Sequence, residues 1–415
     1  MNISPRKEFY GSFDIPGDKS ITHRAIMFNG AAEGEAVITN ALLGEDCLST
    51  AACMRALGAQ VEVLGGQVRV RGTSRFRDAD CDCGNSGTTM RLLMGLIAGR
   101  GVTARLTGDA SLSRRPMERV AGPLRELGAR VETSGGCAPV TVRPARLSGC
   151  EVHTRVASAQ VKSALLLAGL GAEGETVVVE PLKSRDHTER MLAAMGADIR
   201  VEGTRVAVRG GQLHCADVDV PGDISSAAYF MALGALRGET VCKNIGVNPT
   251  RTGILSAFDK MGAAYVLENE RTVCGEPVAD IRVKKSALRA ITLQKEDMPA
   301  LIDELPLIAL MLAFAEGESV ITGAEELKVK ESDRIRTTAE MICALGGDCT
   351  PTADGFVIRG REVLRGGTVQ PHGDHRIAMS GAVGLCASER GGIVEDAGCA
   401  SISFPNFYDL LAGAR

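Results

Sequence analysis

Glu173-Gly174-Glu175-Thr176-Val177-Val178 compresses a helix end, a glycine and the start of a β-branched strand into six residues. Glycine readily takes the left-handed backbone that stops a helix, and Thr-Val-Val favours an extended chain. The phrase recurs as Glu33-Gly34-Glu35-Ala36-Val37-Ile38, Arg100-Gly101-Val102-Thr103, Arg237-Gly238-Glu239-Thr240-Val241, Glu316-Gly317-Glu318-Ser319-Val320-Ile321 and Arg390-Gly391-Gly392-Ile393-Val394. The copies lie about 65 to 80 residues apart, longer than a solenoid repeat. A second phrase interleaves with it, an amphipathic helix, then Leu-Gly-Ala or a close variant, then an alternating strand. It occurs at Leu57-Gly58-Ala59, Leu127-Gly128-Ala129, Met195-Gly196-Ala197, Met261-Gly262-Ala263 and Leu345-Gly346-Gly347. Alternation in the strand that follows implies one buried and one wet face. Each unit therefore reads β-α-β-α-β-β, and six units predict an α/β protein of two domains with three units each. Ala164-Leu165-Leu166-Leu167-Ala168 and Leu307-Ile308-Ala309-Leu310-Met311-Leu312 are apolar nearly all round. Such helices belong inside, with the sheets outside.

A chain of 415 residues is long for one core, which agrees with two domains. No segment approaches the roughly 18 uninterrupted apolar residues of a membrane span, and Met1-Asn2-Ile3-Ser4-Pro5-Arg6 leads into no long apolar run, so a cytoplasmic protein is expected. The 13 cysteines are scattered and include no C-x-x-C, as expected of free thiols in a reducing compartment. A net charge of −4, 3% aromatic residues and no Trp argue against a nucleic-acid binder. No membrane partner is expected either. A small-molecule partner fits better.

Its charge is predicted by where the unusual residues fall. In Pro16-Gly17-Asp18-Lys19-Ser20-Ile21-Thr22-His23-Arg24-Ala25 a glycine turn delivers Lys19, Ser20 and Arg24 onto the first turns of a helix, with Ser20 a candidate cap for its orphan amides. Aligned on the repeats, the first helices of the units begin near Lys19, Gly84 to Thr88, Ser158 to Gln160, Asp223 to Ser226, Asp303-Glu304 and Asp374 to Arg376. The second helices begin near Glu45, Arg114-Arg115-Pro116, Ser184 to Asp186, Thr250-Arg251, Lys330 to Arg334 and Phe404 to Asn406. Capping explains the Ser, Thr, Asp and Asn at these places. It does not explain Lys19, Arg24, Arg91, Arg115, Arg185, Lys330, Arg334 and Arg376, because a cation at a helix start opposes the dipole. Cations in that position imply an anionic partner.

Five stretches then carry a resemblance: Pro16 to Arg24, Gly84-Asn85-Ser86-Gly87-Thr88-Thr89-Met90-Arg91, Arg114-Arg115-Pro116, Val329-Lys330-Glu331-Ser332-Asp333-Arg334-Ile335 and Gly373-Asp374-His375-Arg376-Ile377-Ala378-Met379. Spread over nearly the whole chain, they resemble the EPSP synthases, the enolpyruvyl transferases of the shikimate pathway. Gly17-Asp18-Lys19-Ser20, Ser158-Ala159-Gln160-Val161-Lys162, Arg185-Asp186-His187-Thr188-Glu189 and Asn248-Pro249-Thr250-Arg251 are similar to the branch associated with glyphosate tolerance.

The resemblance implies two inside-out α/β barrel domains of three βαβαββ units, joined by a double crossover. It places residues 15–224 in one domain carrying the shikimate-phosphate anion site. Residues 1–14 and 225–415 form the discontinuous second domain, carrying the acid and base. The implied reaction moves the enolpyruvyl group of phosphoenolpyruvate to the 5-hydroxyl of shikimate 3-phosphate and releases phosphate, as a step toward chorismate and the aromatic amino acids. By similarity, Lys19, Gly87, Arg115, Gln160, Arg334 and Arg376 contact phosphoenolpyruvate. Lys19, Ser20, Arg24, Ser158, Gln160, Asp303 and Lys330 contact shikimate 3-phosphate. Glu331 is the expected proton donor, with Lys19 assisting, and Asp303 the expected base, or alternatively a helix cap. No cofactor and no metal are expected, since His372 and His375 form an H-x-x-H without a third ligand in view. A monomer is expected. The chain departs from many relatives in lacking a Lys before Phe404-Pro405, where Ser401-Ile402-Ser403 stands. Rival readings are the sister transferase acting on UDP-N-acetylglucosamine, which generally uses a loop Cys where Asp109 to Met117 has none, and a non-catalytic polyanion binder.

Overall fold

The computed structural model describes residues 1–414. The chain divides into two compact units. An internal unit comprises Gly17–Pro221 with Thr272–Glu276, and a terminal unit comprises Met1–Pro16, Gly222–Arg271 and the chain from Pro277 onward. Residues 272–276 are the tip of the hairpin formed by strands Ala264–Val273 and Glu276–Lys284, and they group with the internal unit.

The internal unit holds three four-stranded mixed sheets. In each, a leading strand pairs parallel to its neighbour: Val218–Asp219 to Glu35–Thr39, Ala79–Asp82 to Ala104–Thr107, and Glu151–His153 to Glu175–Val179. The remaining pairings are antiparallel. Parallel neighbours need a helical crossover, which helices Gly87–Arg100 and Ala159–Gly169 provide; helix Lys19–Gly30 leads into Glu35–Thr39 in the same way, but the strand parallel to it, Val218–Asp219, comes from far later in the chain. The antiparallel pair Gln60–Leu64 and Gln67–Arg71 turns on Gly65-Gly66, both at positive φ, a two-residue hairpin whose twist matches the strands.

The strands alternate buried and exposed residues, while those three helices bury nearly every position. The helices Gly87–Arg100 and Ala159–Gly169 meet backbone to backbone, because a Cβ at Gly95 would lie 1.9 Å from the Ala164 carbonyl oxygen.

The terminal unit repeats the scheme with two four-stranded sheets and one three-stranded sheet. The leading strand of its first sheet is Phe9–Asp14, parallel to Gly238–Gly246, more than two hundred residues away in the chain. Likewise Val218–Asp219 leads the sheet of Glu35–Thr39. Helices Ile224–Arg237, Leu305–Leu312 and His375–Ala387 are buried almost throughout. Phe13, Phe230, Phe404 and Phe407 pack in a chain of rings with centroids 4.2 to 6.0 Å apart, which seats the last helix, Phe407–Gly413.

The expectation of six complete β-α-β-α-β-β units fails in the sixth. After Gly392–Val394 comes a 3-10 turn and the helix Phe407–Gly413 with no closing hairpin. The N-terminal strand Asn2–Ile3 pairs antiparallel to Gly392–Val394 and fills the vacated edge. Gly238 also departs from the repeated phrase. Ten of the eleven phrase glycines have positive φ, but Gly238 is extended at φ 178 and is required instead by a 2.2 Å approach of its missing Cβ to the Phe9 carbonyl.

Gly95→Ala is expected to destabilise the protein by about 1–3 kcal/mol, since the obstacle is backbone rather than a yielding side chain. Gly413→Ala, with nothing within 4 Å of its Cβ, is the control. Thermal melts of both variants check this, and equal transition temperatures would contradict it.

Candidate active site

In the internal unit, side-chain contacts tie together the first turns of five helices. The cap of Lys19–Gly30 is Asp18, whose carboxylate accepts from the Ile21 amide at 2.9 Å, not Ser20. Asp18 wins because its backbone is extended and its charge suits the helix start. Ser20 lies inside the helix. Lys19 pairs with Asp46 on the helix Glu45–Ala56. Arg24 is buried, donating from Nε to Thr188 Oγ1 at 2.7 Å, from Nη2 to Ser163 Oγ at 3.0 Å and from Nη1 to the Ser20 carbonyl at 2.9 Å. Burial lowers its pKa to about 10, so it keeps its charge at neutral pH.

Gly87 opens its helix behind the cap Ser86, which accepts from the Thr89 amide at 3.1 Å. A Cβ at Gly87 would stand 3.1 Å from Arg91 Nη1 and 3.5 Å from Arg115 Nη1, so two guanidinium groups flank one backbone position. Arg91 donates to Gln160 Oε1 at 2.6 Å, and Gln160 Nε2 donates to Thr88 Oγ1 at 3.0 Å. Ser158 caps the helix that carries Gln160. Arg115 is held by Asn85 Oδ1 at 2.7 Å, and Asn85 in turn by Asp109 at 2.7 Å. Burial, reinforced by Arg119 and Arg115, lowers the Arg91 pKa to about 10. Lys19, Ser20, Arg24, Gly87, Arg115, Ser158 and Gln160 thus all sit in the internal unit.

The terminal unit holds Asp303, Lys330, Glu331, Arg334 and Arg376. Arg334 is almost fully buried and donates from Nε to Asp374 Oδ2 at 2.8 Å and from Nη2 to Glu331 Oε2 at 2.5 Å. Although desolvation pushes the Glu331 pKa up, Arg334 outweighs it and holds the carboxyl below its usual range. Lys330 Nζ donates to Glu326 at 2.7 Å. Asp303 does not cap the helix Leu305–Leu312, whose cap position is Glu304 without a side-chain cap bond. Its carboxylate lies 3.7 Å from Arg251 Nη1 and 3.9 Å from Arg376 Nη2. Glu304, which sequence reasoning left without a role, is buried, accepts from the Ser225 hydroxyl and has its pKa raised by burial against the pull of Arg251 and Arg376. Arg91, Arg251 and Glu304 had one signal in the sequence, their position at or near a helix start.

His372 pairs with Glu340 at 3.1 Å and His375 is buried. Among the described residues no three His, Cys, Asp or Glu side chains are grouped to hold a metal ion.

A sequence profile of EPSP synthase (3-phosphoshikimate 1-carboxyvinyltransferase) matches residues 3–411. The chain belongs to the EPSP synthase family. It is 49% identical over 420 residues to the 3-phosphoshikimate 1-carboxyvinyltransferase of Desulfitobacterium hafniense, covering 99% of this chain and 97% of the relative. To the enzyme of the same name from Gloeobacter violaceus it is 49% identical, covering 100% and 99%. An EPSP synthase structure from Acinetobacter baumannii superposes with a TM-score of 0.91 at 43% identity, covering 99% of this chain and 97% of that one. EPSP synthase membership places the helix-start cations in a shikimate-pathway enzyme, as the sequence motifs predicted. Among the described residues no helix is long and apolar enough to cross a membrane.

Two buried histidines give the stability of this EPSP synthase family member a pH signature. Burial lowers His23 to about 3 and His375 to about 4, against about 6.5 in the unfolded chain. Both folded values are depressed, so the unfolded chain takes up protons first. Their contribution is complete above pH 6.5 and is lost as pH falls toward 4, at up to about 1.4 kcal/mol per pH unit for each proton. His23→Asn should flatten the fall in melting temperature between pH 7 and pH 5 relative to wild type; parallel curves would contradict it.

Proposed function

We propose that this chain transfers the enolpyruvyl group of phosphoenolpyruvate to the 5-hydroxyl of shikimate 3-phosphate, releasing phosphate. The observation that carries this reading is the set of cations at helix starts in a member of the EPSP synthase family. Both substrates are anions, and a planar guanidinium binds carboxylate or phosphate through two parallel hydrogen bonds. Lys19, Ser20, Arg24, Ser158, Gln160, Asp303 and Lys330 take shikimate 3-phosphate. Lys19, Gly87, Arg115, Gln160, Arg334 and Arg376 take phosphoenolpyruvate. The finer architecture is two inside-out α/β barrels joined by a double crossover, a reading supported by the all-round burial of the first helices and by the breaks at Pro16/Gly17 and Pro221/Gly222. The protein acts as a cytoplasmic monomer.

In the proposed reaction Asp303 accepts the proton of the attacking hydroxyl as its oxygen bonds to C2 of phosphoenolpyruvate. Glu331, assisted by Lys19, protonates the methylene carbon C3. The C–O bond to phosphate then breaks as the C3 methyl returns a proton to Glu331 and Asp303 passes its proton to the departing phosphate, so both carboxyls end as they began. Glu331 without ligand is ionised, because Arg334 holds it so. An anion that engages Arg334 competes for the same guanidinium, and weakening that pairing raises Glu331 toward the protonated form it needs. Neither metal nor organic cofactor is required, because phosphoenolpyruvate is already activated and the chemistry asks only for proton transfer and fixed positive charge.

A coupled phosphate-release assay with shikimate 3-phosphate and phosphoenolpyruvate should show turnover. Glu331→Gln should lower kcat about a hundredfold with little change in shikimate 3-phosphate affinity. No phosphate release by wild type would overturn the function, and near-normal kcat in the variant would remove Glu331 from the mechanism.

Gly87→Ala tests the phosphoenolpyruvate assignment with glyphosate, an anion longer than the substrate. The added methyl crowds the space between Arg91 and Arg115, and overpacking costs about 1–3 kcal/mol when the occupant cannot shift. The ratio of glyphosate inhibition constant to phosphoenolpyruvate KM should rise about tenfold or more, with wild type the more sensitive. An unchanged ratio would show that Gly87 does not gate this site.

A further inference from the structure

His23, Thr50, Thr89 and Ser86 are all fully buried, and they form one unbranched chain of short contacts. His23 Nδ1 lies 2.7 Å from Thr50 Oγ1, Thr50 Oγ1 lies 2.6 Å from Thr89 Oγ1, and Thr89 Oγ1 lies 2.7 Å from Ser86 Oγ. The chain starts on the helix of Lys19 and Arg24, passes through the helix of Asp46, and ends on the cap of the helix that Gly87 opens. Among the described residues the other contacts of the two threonine hydroxyls are longer, each 3.4 Å from the Asp46 carbonyl.

The direction of the chain follows from counting protons. Each hydroxyl has one proton to give: Thr89 donates its own to Ser86 Oγ, so Thr50 must donate to Thr89, and the Thr50 oxygen is left to accept from His23 Nδ1. The other ring nitrogen, Nε2, is buried without a hydrogen-bond partner among the described residues. If the bonds ran toward His23, Nδ1 would be the acceptor and Nε2 would carry an N–H sealed away from any acceptor. If they run toward Ser86, Nδ1 carries the proton and Nε2 is left with only a lone pair. A buried orphan N–H is the costlier of the two, and native structures avoid it more strictly. Asp18, Lys19 and Arg24 on its own helix and Asp46 on the neighbouring one surround the ring electrostatically.

We propose that His23 is a positioning residue for the phosphoenolpyruvate site: its Nδ1–H drives a one-way chain of hydrogen bonds through Thr50 and Thr89 into Ser86, fixing the helix start at Gly87. The inference rests on the proposed reaction for its kinetic consequence and on geometry alone for the tautomer. Fixing Ser86 fixes the backbone amides that follow it and the spacing of Gly87 from Arg91 and Arg115. His23 touches no substrate in this scheme.

The test has two readouts. In wild type labelled with 15N-histidine, long-range 1H–15N correlation spectra should show His23 as the Nδ1–H tautomer, without titration between pH 5 and pH 8. An Nε2–H tautomer, or a titration near 6.5, would overturn the proposal whatever the enzyme catalyses. In the phosphate-release assay, His23→Leu should raise KM for phosphoenolpyruvate about tenfold while kcat and KM for shikimate 3-phosphate change by less than about twofold. His23→Asn, whose amide nitrogen can stand near Nδ1, should recover most of that loss. Equal losses in both variants, or a Leu variant with unchanged KM, would mean the ring only fills space. Should the Leu variant fail to fold, the Asn variant and the tautomer decide. Absence of turnover in wild type would overturn the reaction and leave the spectroscopic arm standing.

Discussion

In each unit, the pull between helix-start cations and the groups that hold them in place governs the candidate site residues. Lys19 leans on Asp46, Arg334 on Asp374 and Glu331, and Arg251 on Asp223 with Asp303 near by. Each of these carboxylates offsets a charge that its own helix dipole repels. Arg24 and Arg91 are arranged differently. Arg24 is held by two hydroxyls and a carbonyl, and Arg91 by the amide of Gln160. Burial lowers both to about 10, which is the mark of cations that have lost water without gaining full compensation. A buried, under-compensated guanidinium attracts an anion more strongly than one already paired, because binding relieves a cost already incurred on folding.

That arrangement depends on helices that are buried on all sides. A helix with a wet face could anchor its start with solvated side chains, but one like Gly87–Arg100 must be positioned by packing and by buried hydrogen bonds. Gly95 lets it meet Ala164 backbone to backbone, and this contact helps fix the relative positions of the starts that carry Gly87 and Gln160. The sheets supply the other walls, each with one apolar face inward and one exposed face. Precision at the site is therefore a consequence of close packing one to two turns away from it.

The sequence was legible where local chemistry decided the outcome. The expected helix starts fall within a few residues of those observed, from Lys19 and Gly87 to Arg334 and His375, because caps and glycines act over three or four residues. It was illegible where partners distant in the chain decided. Nothing in Phe9–Asp14 announces that it pairs with Gly238–Gly246, nor does Asn2–Ile3 declare that it closes the last sheet. Gly238 carries the repeated phrase but serves close approach rather than a left-handed turn. At the site, cations were legible by their wrong electrostatic position. His23, Thr50 and Thr89 were not, since each alone is an ordinary helix residue and only their contact makes a network.

Proton chemistry in the proposed reaction is linked to charge in the same way as binding. Glu331 shares Arg334 with Asp374, and of the two carboxylates Asp374 is the one fully enclosed and committed to capping the helix His375–Ala387. Removing Arg334 from Glu331 is therefore less disruptive than removing it from Asp374, so an arriving anion displaces Glu331 first. Glu331 then loses its stabilising cation beside the new negative charge, and both changes raise its affinity for a proton. Asp303 keeps the Arg251 and Arg376 guanidinium groups 3.7 and 3.9 Å from its carboxylate. In the proposed reaction one carboxyl is driven toward acid while the other keeps its cations, with the difference set by which guanidinium the substrate takes away.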